Sequence, residues 1–318
     1  MKERTSGQLN LAEAWVGRKL GANARLEGIE KLMKWYRFEK LLVRLRGAKE
    51  GRPPYPPLLM FKALVLQQWY GLSDAELEAT LLDRLSFRRF VGLGLDEATP
   101  DATTLCRFRN ELAGAGLAGR LFGEMNRQLE SRGLIVKRGT LIDATVVEAA
   151  VRPTAPGATS SDVDAGFARR QGKPGSTFGY KAHVAVDQGS GLVRSALLTA
   201  ANVNETMVAD ALIVGDEGAV YADQAYDTHA RRMALRKRGI KDRLMHRPNK
   251  HHPVLGVWKR RRNQLIARTR AAVETTFAVL KRHYRYRRVR YVGLGKNQSH
   301  LHLLCIALNL RRALALAI

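Results

Sequence analysis

Residues 140–147, with the sequence TLIDATVV, are the stretch on which the interpretation of the fold depends. Their apolar side chains predict a strand that is mostly buried. One carboxylate, Asp143, interrupts the apolar run. A charged side chain inside a strand is costly unless its charge is offset. Asp143 is therefore either a hydrogen-bonded structural residue or a ligand for a cation.

The chain that follows this strand alternates between strand and helix signals. Residues 152–177 are rich in Gly, Ser, Pro and Ala and predict a loop. The turn from Gln188 to Gly191 joins two apolar segments and predicts a hairpin. The predicted elements are strands at 140–147, 180–187, 192–199, 219–222 and 240–245, and helices at 204–214, at a segment that ends at Arg238 and at about 259–286. This order predicts an α/β domain with a mixed sheet flanked by helices.

The chain before Gly133 carries helical patterns. Residues 9–46 predict a helix with an apolar stripe, which is either core or a dimer face. The stripe consists of Leu26, Ile29, Leu32, Met33 and Tyr36.

Two further helix starts lie in this region. Ser73 and Glu76 predict a capping box, and Thr99 predicts an N-cap with Pro100 in the first turn. The helix after Pro100, residues 102–112, carries Arg107 and Arg109. Short capped helices on a basic chain indicate either a helix-turn-helix-like DNA-binding module, with both arginines on DNA, or a plain helical packing domain.

These signals predict four segments along the chain. Residues 1–52 form a helical segment that is the candidate for dimerisation, and residues 53–133 form the helical DNA-binding domain. Residues 134–296 form the α/β domain, and residues 297–318 form a C-terminal helix that packs on it.

The net charge of the chain is +25, while 45% of its residues are hydrophobic, so it buries a core and is not a disordered basic tail. The charge favours a polyanionic partner, most often nucleic acid. The positive charge is concentrated in residues 231–290, which contain 21 Lys and Arg and only two acids, Asp242 and Glu274. This segment also contains a basic run beside Trp258, which predicts contact with the DNA backbone through Arg260, Arg261 and Arg262.

The chain is expected to be cytoplasmic and not to bind a membrane. Cys106 and Cys305 are far apart in apolar helical stretches, which favours two reduced thiols. The most apolar stretch, residues 301–318, is interrupted by two arginines and is shorter than the about 20 residues that span a bilayer.

Three acids in the second half of the chain occupy positions that favour chemistry. Asp143 lies in an apolar strand, Asp223 ends another, and Glu274 lies in a helix whose other charges are nearly all basic. Glu274 alone is equally well explained as an ion-pair partner. Together the three carboxylates favour a site for two divalent metal ions, which suits cleavage of a phosphodiester backbone.

The helix around Glu274 places cations beside this acid. At 100° per residue, Arg270, Lys281 and Arg285 share the face of Glu274. A neighbouring apolar stripe, made of Val273, Phe277, Leu280 and Tyr284, is suited to docking on the sheet. One edge of the helix thus presents a metal ligand flanked by cations, which fits a DNA strand held over metal ions.

From about residue 57 to 312 the chain resembles bacterial insertion-sequence transposases of the DDE type, in the insertion-sequence-5 group. The stretch RLSFRRFVGLGLDEATPDATTLCRFRNEL (84–112) resembles that group's N-terminal domain, and FGYKAHVAVD (178–187) is similar to its second strand. LIDAT (141–145) contains the first aspartate, and YADQAYD (221–227) contains the second. The group's last motif is a tyrosine, an arginine, a glutamate and a lysine, separated by two, three and six residues. Arg270, Glu274 and Lys281 match this spacing, and Ala267 stands at the tyrosine position.

The resemblance implies an RNase H-like fold, in which Asp143, Asp223 and Glu274 hold two Mg²⁺ or Mn²⁺ ions. It implies cleavage of the element's terminal inverted repeats and joining of the 3′-hydroxyl ends to target DNA, without a covalent enzyme intermediate. Arg270 and Lys281 are then expected to contact DNA. Reactions on two ends imply a homodimer or a larger homo-oligomer on DNA, associated with the nucleoid. Two alternatives remain: a catalytically silent repressor derived from a transposase, and an RNase H-like nuclease that does not join strands.

Overall fold

The structure, a computed structural model, describes residues 22–45, 54–153, 160–169, 175–248 and 253–317. These residues form two compact units. A helical unit contains the described residues up to Ser131 together with those from His302 onward, and an α/β unit contains those from Arg132 to Leu301. Among these residues no helix is long and apolar enough to cross a bilayer.

The helical unit begins with short helices whose ends are fixed by local contacts. They are α1 (Ala24–Leu32), α2 (Trp35–Leu42), α3 (Pro57–Tyr70), α4 (Asp74–Asp83), α5 (Leu85–Val91), α6 (Ala102–Gly114) and α7 (Leu117–Ser131). The capping box predicted at Ser73 is confirmed, since the Ser73 hydroxyl accepts from the Glu76 amide and the Glu76 carboxylate accepts from the Ser73 amide. Pro57 begins α3, and Gly71, with φ of 68°, ends it.

The N-cap of α6 is Asp101 and not Thr99, so that part of the prediction was wrong. The Asp101 carboxylate accepts a hydrogen bond of 2.6 Å from the Thr104 amide. The Thr99 carbonyl instead accepts from the Tyr55 hydroxyl at 2.9 Å, so it takes no part in the helix.

The single helix expected over residues 9–46 is two helices within the described residues 22–45. The break between them lies at Lys34, whose amide donates to the Gln128 side chain of α7 at 2.7 Å. Leu26, Ile29 and Leu32 are buried in the helical unit, whereas Tyr36 is 51% exposed. Most of the stripe therefore belongs to the core of this unit, and the expected role in dimerisation stays a prediction. Residues 1–21 and 46–53 lie outside the described residues.

The α/β unit confirms the expected mixed sheet flanked by helices. Its elements are β1 (Thr140–Glu148), β2 (Gly166–Arg169), β3 (Ser176–Asp187), β4 (Val193–Ala200), α8 (Glu205–Leu212), β5 (Ala219–Ala222), α9 (His229–Lys237), β6 (Lys241–Leu244) and α10 (Val257–Arg282). The sheet order is β2-β3-β1-β5-β6, and β4 also pairs with β3. β3 is antiparallel to β1, β2 and β4, whereas β1, β5 and β6 are parallel.

Two elements of this unit differ from the sequence prediction. β2 lies inside the segment predicted as a loop, where it pairs with the start of β3. α10 ends at Arg282 and not near residue 286. Beyond the helix the chain runs beside β1, because the Glu148 amide donates to the Arg287 carbonyl at 2.9 Å and the Val289 amide donates to the Glu148 carbonyl at 2.8 Å.

The last helix, α11 (Leu294–Leu316), begins in the α/β unit and ends in the helical unit. Residues 297–318 were expected to pack on the catalytic domain, but the described part from His302 onward belongs to the helical unit. There the His302 ring stacks on Phe122 with ring centroids 5.7 Å apart, and Asn309 bonds Asn126 at 3.1 Å.

Candidate functional site

Asp143 and Asp223 lie at the same level on neighbouring parallel strands. Thr140 pairs with Val220 and Leu141 with Tyr221, so the register continued by two residues brings Asp143 level with Asp223. Neighbouring strands are about 4.8 Å apart, which makes the two aspartates direct neighbours. Asp223 comes just after β5, where its carboxylate accepts from the Ala225 amide at 2.8 Å and starts a 3₁₀ turn, Gln224–Tyr226.

The Asp143 carboxylate is largely buried, with its side chain 20% exposed. One oxygen accepts from the Ala144 amide at 2.9 Å, and the other lies 3.0 Å from a guanidinium nitrogen of Arg270. Burial raises the pKa of Asp143, the Arg270 charge opposes this rise, and the charge of Asp223 adds to it. A carboxylate in this setting needs a cation beside it.

Tyr226 places an unsatisfied hydroxyl next to this pair. Its side chain is buried, and within the described residues the hydroxyl has no hydrogen-bond partner. Burial raises the pKa of Tyr226, and the charges of Asp143 and Asp223 raise it further. Two hard carboxylate ligands with an orphaned hydroxyl beside them fit a hydrated Mg²⁺ or Mn²⁺ ion.

Glu274 does not join the two aspartates. It lies on α10 with an exposed side chain. In the part of the chain that the structure describes, no three His, Cys, Asp or Glu side chains are grouped closely enough to hold a metal ion. The structure thus brings together two of the three proposed ligands, and the third stays at the surface.

α10 docks on the sheet through the apolar stripe that its spacing predicts. Val273, Phe277 and Leu280 are buried, and from the same helix Arg270 and Lys281 reach β1. Arg270 pairs with Asp143, and the Lys281 ammonium donates to the Thr145 hydroxyl, two residues further along the strand. These two cations therefore lie along the strand that carries the first aspartate.

Arg285 does not share the helix face of Glu274, so that prediction was wrong. α10 ends at Arg282, and Arg285 has a left-handed backbone with φ of 54°. The buried side chains of Tyr284 and Tyr286 flank it and leave the Arg285 side chain exposed.

The basic run at the start of α10 divides into two kinds of arginine. Arg260 and Arg261 are exposed, and the neighbouring Trp258 is 82% exposed. Arg262 instead turns inward, where it bonds the Asp242 carboxylate at 2.8 Å and the Leu244 carbonyl at 2.8 Å. Its placement favours bracing the helix against β6 over contact with DNA.

The two arginines of α6 also differ. Arg107 is exposed, as a DNA contact requires. Arg109 is buried and forms two bonds, of 2.5 and 2.8 Å, to the Asp74 carboxylate at the start of α4. Arg109 therefore links two helices, and its placement favours this structural role over contact with DNA.

A basic groove at the end of β1 was not predicted from the sequence. It has a volume of about 590 Å³ and lies between β1, the start of β3 and the C-terminal end of α10. Its basic side chains are Lys281, Arg282 and Arg287, and its one acid is Glu148. Arg287 and Tyr226 were missed because their sequence signals, a basic run after a helix and a tyrosine three residues after an aspartate, are common.

Comparison with protein families matches two parts of the chain. Residues 16–111 match the family model described as Transposase domain (DUF772), and residues 135–310 match the model described as Transposase DDE domain. No solved structure matches the chain. The second match agrees with the helical region followed by a mixed sheet, which is the RNase H-like fold that the sequence predicted.

Proposed function

The chain belongs to the transposases that carry a DDE domain, and from this membership we propose that it cleaves the ends of an insertion sequence of the insertion-sequence-5 group and joins them to target DNA. The observation that carries the proposal is the pair of aspartates, since Asp143 of β1 is level with Asp223, which comes just after the neighbouring parallel strand β5. Membership in the family implies DNA binding, and such transposases use divalent metal ions.

In this proposal Asp143, Asp223 and Glu274 hold two Mg²⁺ ions, for which Mn²⁺ substitutes. The chemistry that such ions supply when bound is activation of the nucleophile and stabilisation of charge on the attacked phosphate. Glu274, exposed in this structure, is expected to approach the aspartates once DNA is bound, because such sites often tighten only with substrate.

The proposed reaction needs no protein nucleophile, and in each step the proton lost by the attacking water or hydroxyl is balanced by the proton that the leaving 3′ oxygen takes up. In the first step water attacks phosphorus, the bond to the 3′ oxygen breaks, and a 3′-hydroxyl and a 5′-phosphate result. In the second step that 3′-hydroxyl attacks a target phosphodiester, and one new phosphodiester bond replaces the one that breaks. Lys281, Arg282 and Arg287 line the groove and supply positive charge to the DNA backbone throughout.

The remaining parts of the proposal concern partners and organisation. The helical domain, residues 53–133, binds the terminal inverted repeats, and residues 134–296 carry the catalysis. The active form is a homodimer or larger assembly on double-stranded DNA. Since its substrate is chromosomal DNA, we place the protein in the bacterial cytoplasm, on the nucleoid.

The test is a cleavage and joining assay on duplexes that contain the DNA flanking the gene, with Mg²⁺. Asp143→Asn, Asp223→Asn and Glu274→Gln are expected to abolish both steps while the protein still binds DNA. Exposed Asp83, at the end of α4, provides the control substitution Asp83→Asn, which leaves both steps intact.

Each other outcome selects a different function. Binding without cleavage by the wild-type protein identifies a silent repressor, and cleavage of unrelated branched substrates or hybrids without joining identifies an RNase H-like nuclease. Full activity of Asp143→Asn would show that the metal-ligand assignment is wrong.

A further inference from the structure

Arg270 occupies the position beside Asp143 in which a cation is needed. Its side chain is 16% exposed, and one terminal nitrogen lies 3.0 Å from the Asp143 carboxylate. The other terminal nitrogen faces the Met245 sulfur at 3.9 Å, which is a weak acceptor. The Nε atom is buried and makes no hydrogen bond within the described residues. The guanidinium thus has one strong partner and donors to spare.

The Asp143 oxygen that is paired with Arg270 serves poorly as a metal ligand while this ion pair is present. A guanidinium and a divalent cation beside one carboxylate repel each other, and the largely buried setting strengthens this repulsion. Arg270 and a metal ion therefore compete for Asp143. Lys281, the other cation that reaches β1, is bonded to the Thr145 hydroxyl and is not paired with Asp143 in the way that Arg270 is.

DNA offers Arg270 an alternative partner. A guanidinium binds a phosphate with two parallel hydrogen bonds, and Arg270 has the unused donors for this. The basic groove lined by Lys281, Arg282 and Arg287, on the same helix and the segment after it, is where a DNA backbone is attracted.

We propose that Arg270 couples metal binding to DNA binding. Without DNA it is the counter-ion of Asp143 and disfavours metal. A DNA phosphate draws it away, and Asp143 is then available to a divalent ion. Because coupling between two ligands is reciprocal, metal also strengthens DNA binding by the same factor. This inference rests on the proposed function, which places the metal at Asp143.

A purely structural salt bridge makes the opposite prediction. If Arg270 only braces α10 against β1, its removal loosens the site and leaves metal affinity unchanged or lower. If Arg270 competes with metal, its removal raises metal affinity in the absence of DNA. An increase in metal affinity on removal of Arg270 therefore distinguishes competition with metal from a purely structural role.

The experiment measures Mn²⁺ binding to the full-length protein by the paramagnetic resonance signal of free Mn²⁺, with and without a short DNA duplex. The variants are Arg270→Gln, Asp143→Asn and, as the matched control, Arg268→Gln. Arg268 is exposed on the same helix, so its substitution removes one positive charge without touching Asp143. The signal of Asp143→Asn with DNA corrects for Mn²⁺ held by the duplex itself.

For the wild-type protein and for Arg268→Gln, DNA is expected to raise Mn²⁺ affinity about tenfold. Arg270→Gln is expected to bind Mn²⁺ about tenfold more tightly than wild type without DNA, with little further gain on adding DNA. The proposal is overturned if DNA leaves the wild-type affinity unchanged, or if a folded Arg270→Gln binds Mn²⁺ no more tightly than wild type.

Two further results keep this inference separate from the function on which it rests. If Asp143→Asn binds Mn²⁺ as the wild type does, the proposed metal site itself is wrong. If Asp143→Asn loses Mn²⁺ and Arg270→Gln behaves as the wild type, only the coupling is wrong. Should circular dichroism show that Arg270→Gln is unfolded, the wild-type comparison with and without DNA still decides.

Discussion

Arg109 shows how a single residue's surroundings reverse an interpretation that charge alone suggests. It lies two residues from Arg107 on α6, yet it is buried against Asp74 while Arg107 is exposed. Sequence spacing alone does not separate the two arginines, because the carboxylate that binds one of them comes from a helix 35 residues earlier.

We predict that Arg109→Ala lowers the free energy of unfolding by about 2–3 kcal/mol, since it removes the cation paired with the Asp74 carboxylate. The figure is below that for fully buried pairs because Asp74 is 24% exposed. Arg107→Ala is expected to change stability by less than about 0.5 kcal/mol. Urea unfolding followed by circular dichroism measures both, and equal effects of the two substitutions would contradict the assignment.

His183 makes stability depend on pH. It is buried on β3 with Nε2 3.0 Å from the Thr199 hydroxyl oxygen, and burial lowers the pKa of His183 to about 4. An unfolded histidine has a pKa of about 6.5. Between these values the unfolded chain binds more protons than the folded protein, so stability falls as the pH falls through this window, by on the order of 3 kcal/mol.

The measurement is the free energy of unfolding at intervals from pH 7 to pH 4.5. His183→Gln is expected to flatten the decline, and exposed His229→Gln serves as the control that keeps it. A decline that is unchanged in His183→Gln would show that other groups cause it.

The sequence predicted those site residues whose position depends on the local pattern of apolar residues. It did not predict the contacts between residues that are far apart in the chain. Asp143 lies inside an apolar strand and Asp223 ends another. The parallel pairing of these two strands brings the aspartates level with each other. The ion pair of Arg270 with Asp143 joins residues 127 positions apart in the chain, and no local pattern indicates it. The surface position of Glu274 likewise depends on how α10 docks.

At the scale of elements, α10 combines a surface for DNA with an anchor to the sheet. Exposed Arg260 and Arg261 lie beside exposed Trp258, whereas Arg262 is bonded to Asp242 and Leu244 of β6. Three consecutive arginines on a helix point in different directions because successive residues are 100° apart.

We predict that Arg260→Ala and Arg261→Ala each weaken DNA binding and reduce the slope of log affinity against log salt by about 1, as expected for the loss of one phosphate contact. Arg262→Ala is expected to lower the free energy of unfolding and to leave that slope unchanged. Fluorescence anisotropy with labelled duplex at several salt concentrations checks the slopes. An unchanged slope in both exposed-site variants would exclude this face from the DNA interface.

Most elements follow from the spacing of apolar residues, and the exceptions have identifiable causes. β2 was missed because glycine and serine dominate the sequence around it. The strand forms through its pairing with the start of β3, which the local sequence does not indicate. The end of α10 was placed too late because Tyr284 continues the helical spacing of Val273, Phe277 and Leu280. The chain leaves the helix there to pair with Glu148, a residue 140 positions away from Arg288.

At the scale of the whole molecule, α11 makes the helical unit depend on residues far apart in the chain. Leu304 is buried in that unit, and a Cβ atom added at Gly28 of α1 would lie 2.8 Å from the Leu314 side chain. The family match to residues 16–111 therefore covers only part of a unit that also needs residues from His302 onward.

We predict that Leu304→Ala lowers the stability of the helical unit by about 2–5 kcal/mol through the cavity that it leaves. Leu316→Ala, at a position 39% exposed, is the matched control and is expected to have a much smaller effect. Trp35 and Trp69 lie in the helical unit, and Trp258 of the α/β unit is 82% exposed, so the change in tryptophan fluorescence during urea unfolding reports mainly on the helical unit. Equal unfolding midpoints for the two variants would contradict this account of α11.

The shared helix α11 also has a consequence for the order of events during translation. The ribosome makes α1 to α7 first, but the residues that complete their unit come about 185 positions later. At roughly 5–20 residues per second, the nascent chain carries an incomplete helical unit for about 10–40 s. During this interval its apolar surfaces are open to chaperones and to other nascent chains. A ribosome that stalls before residue 302 releases a protein whose first unit never acquires its last helix.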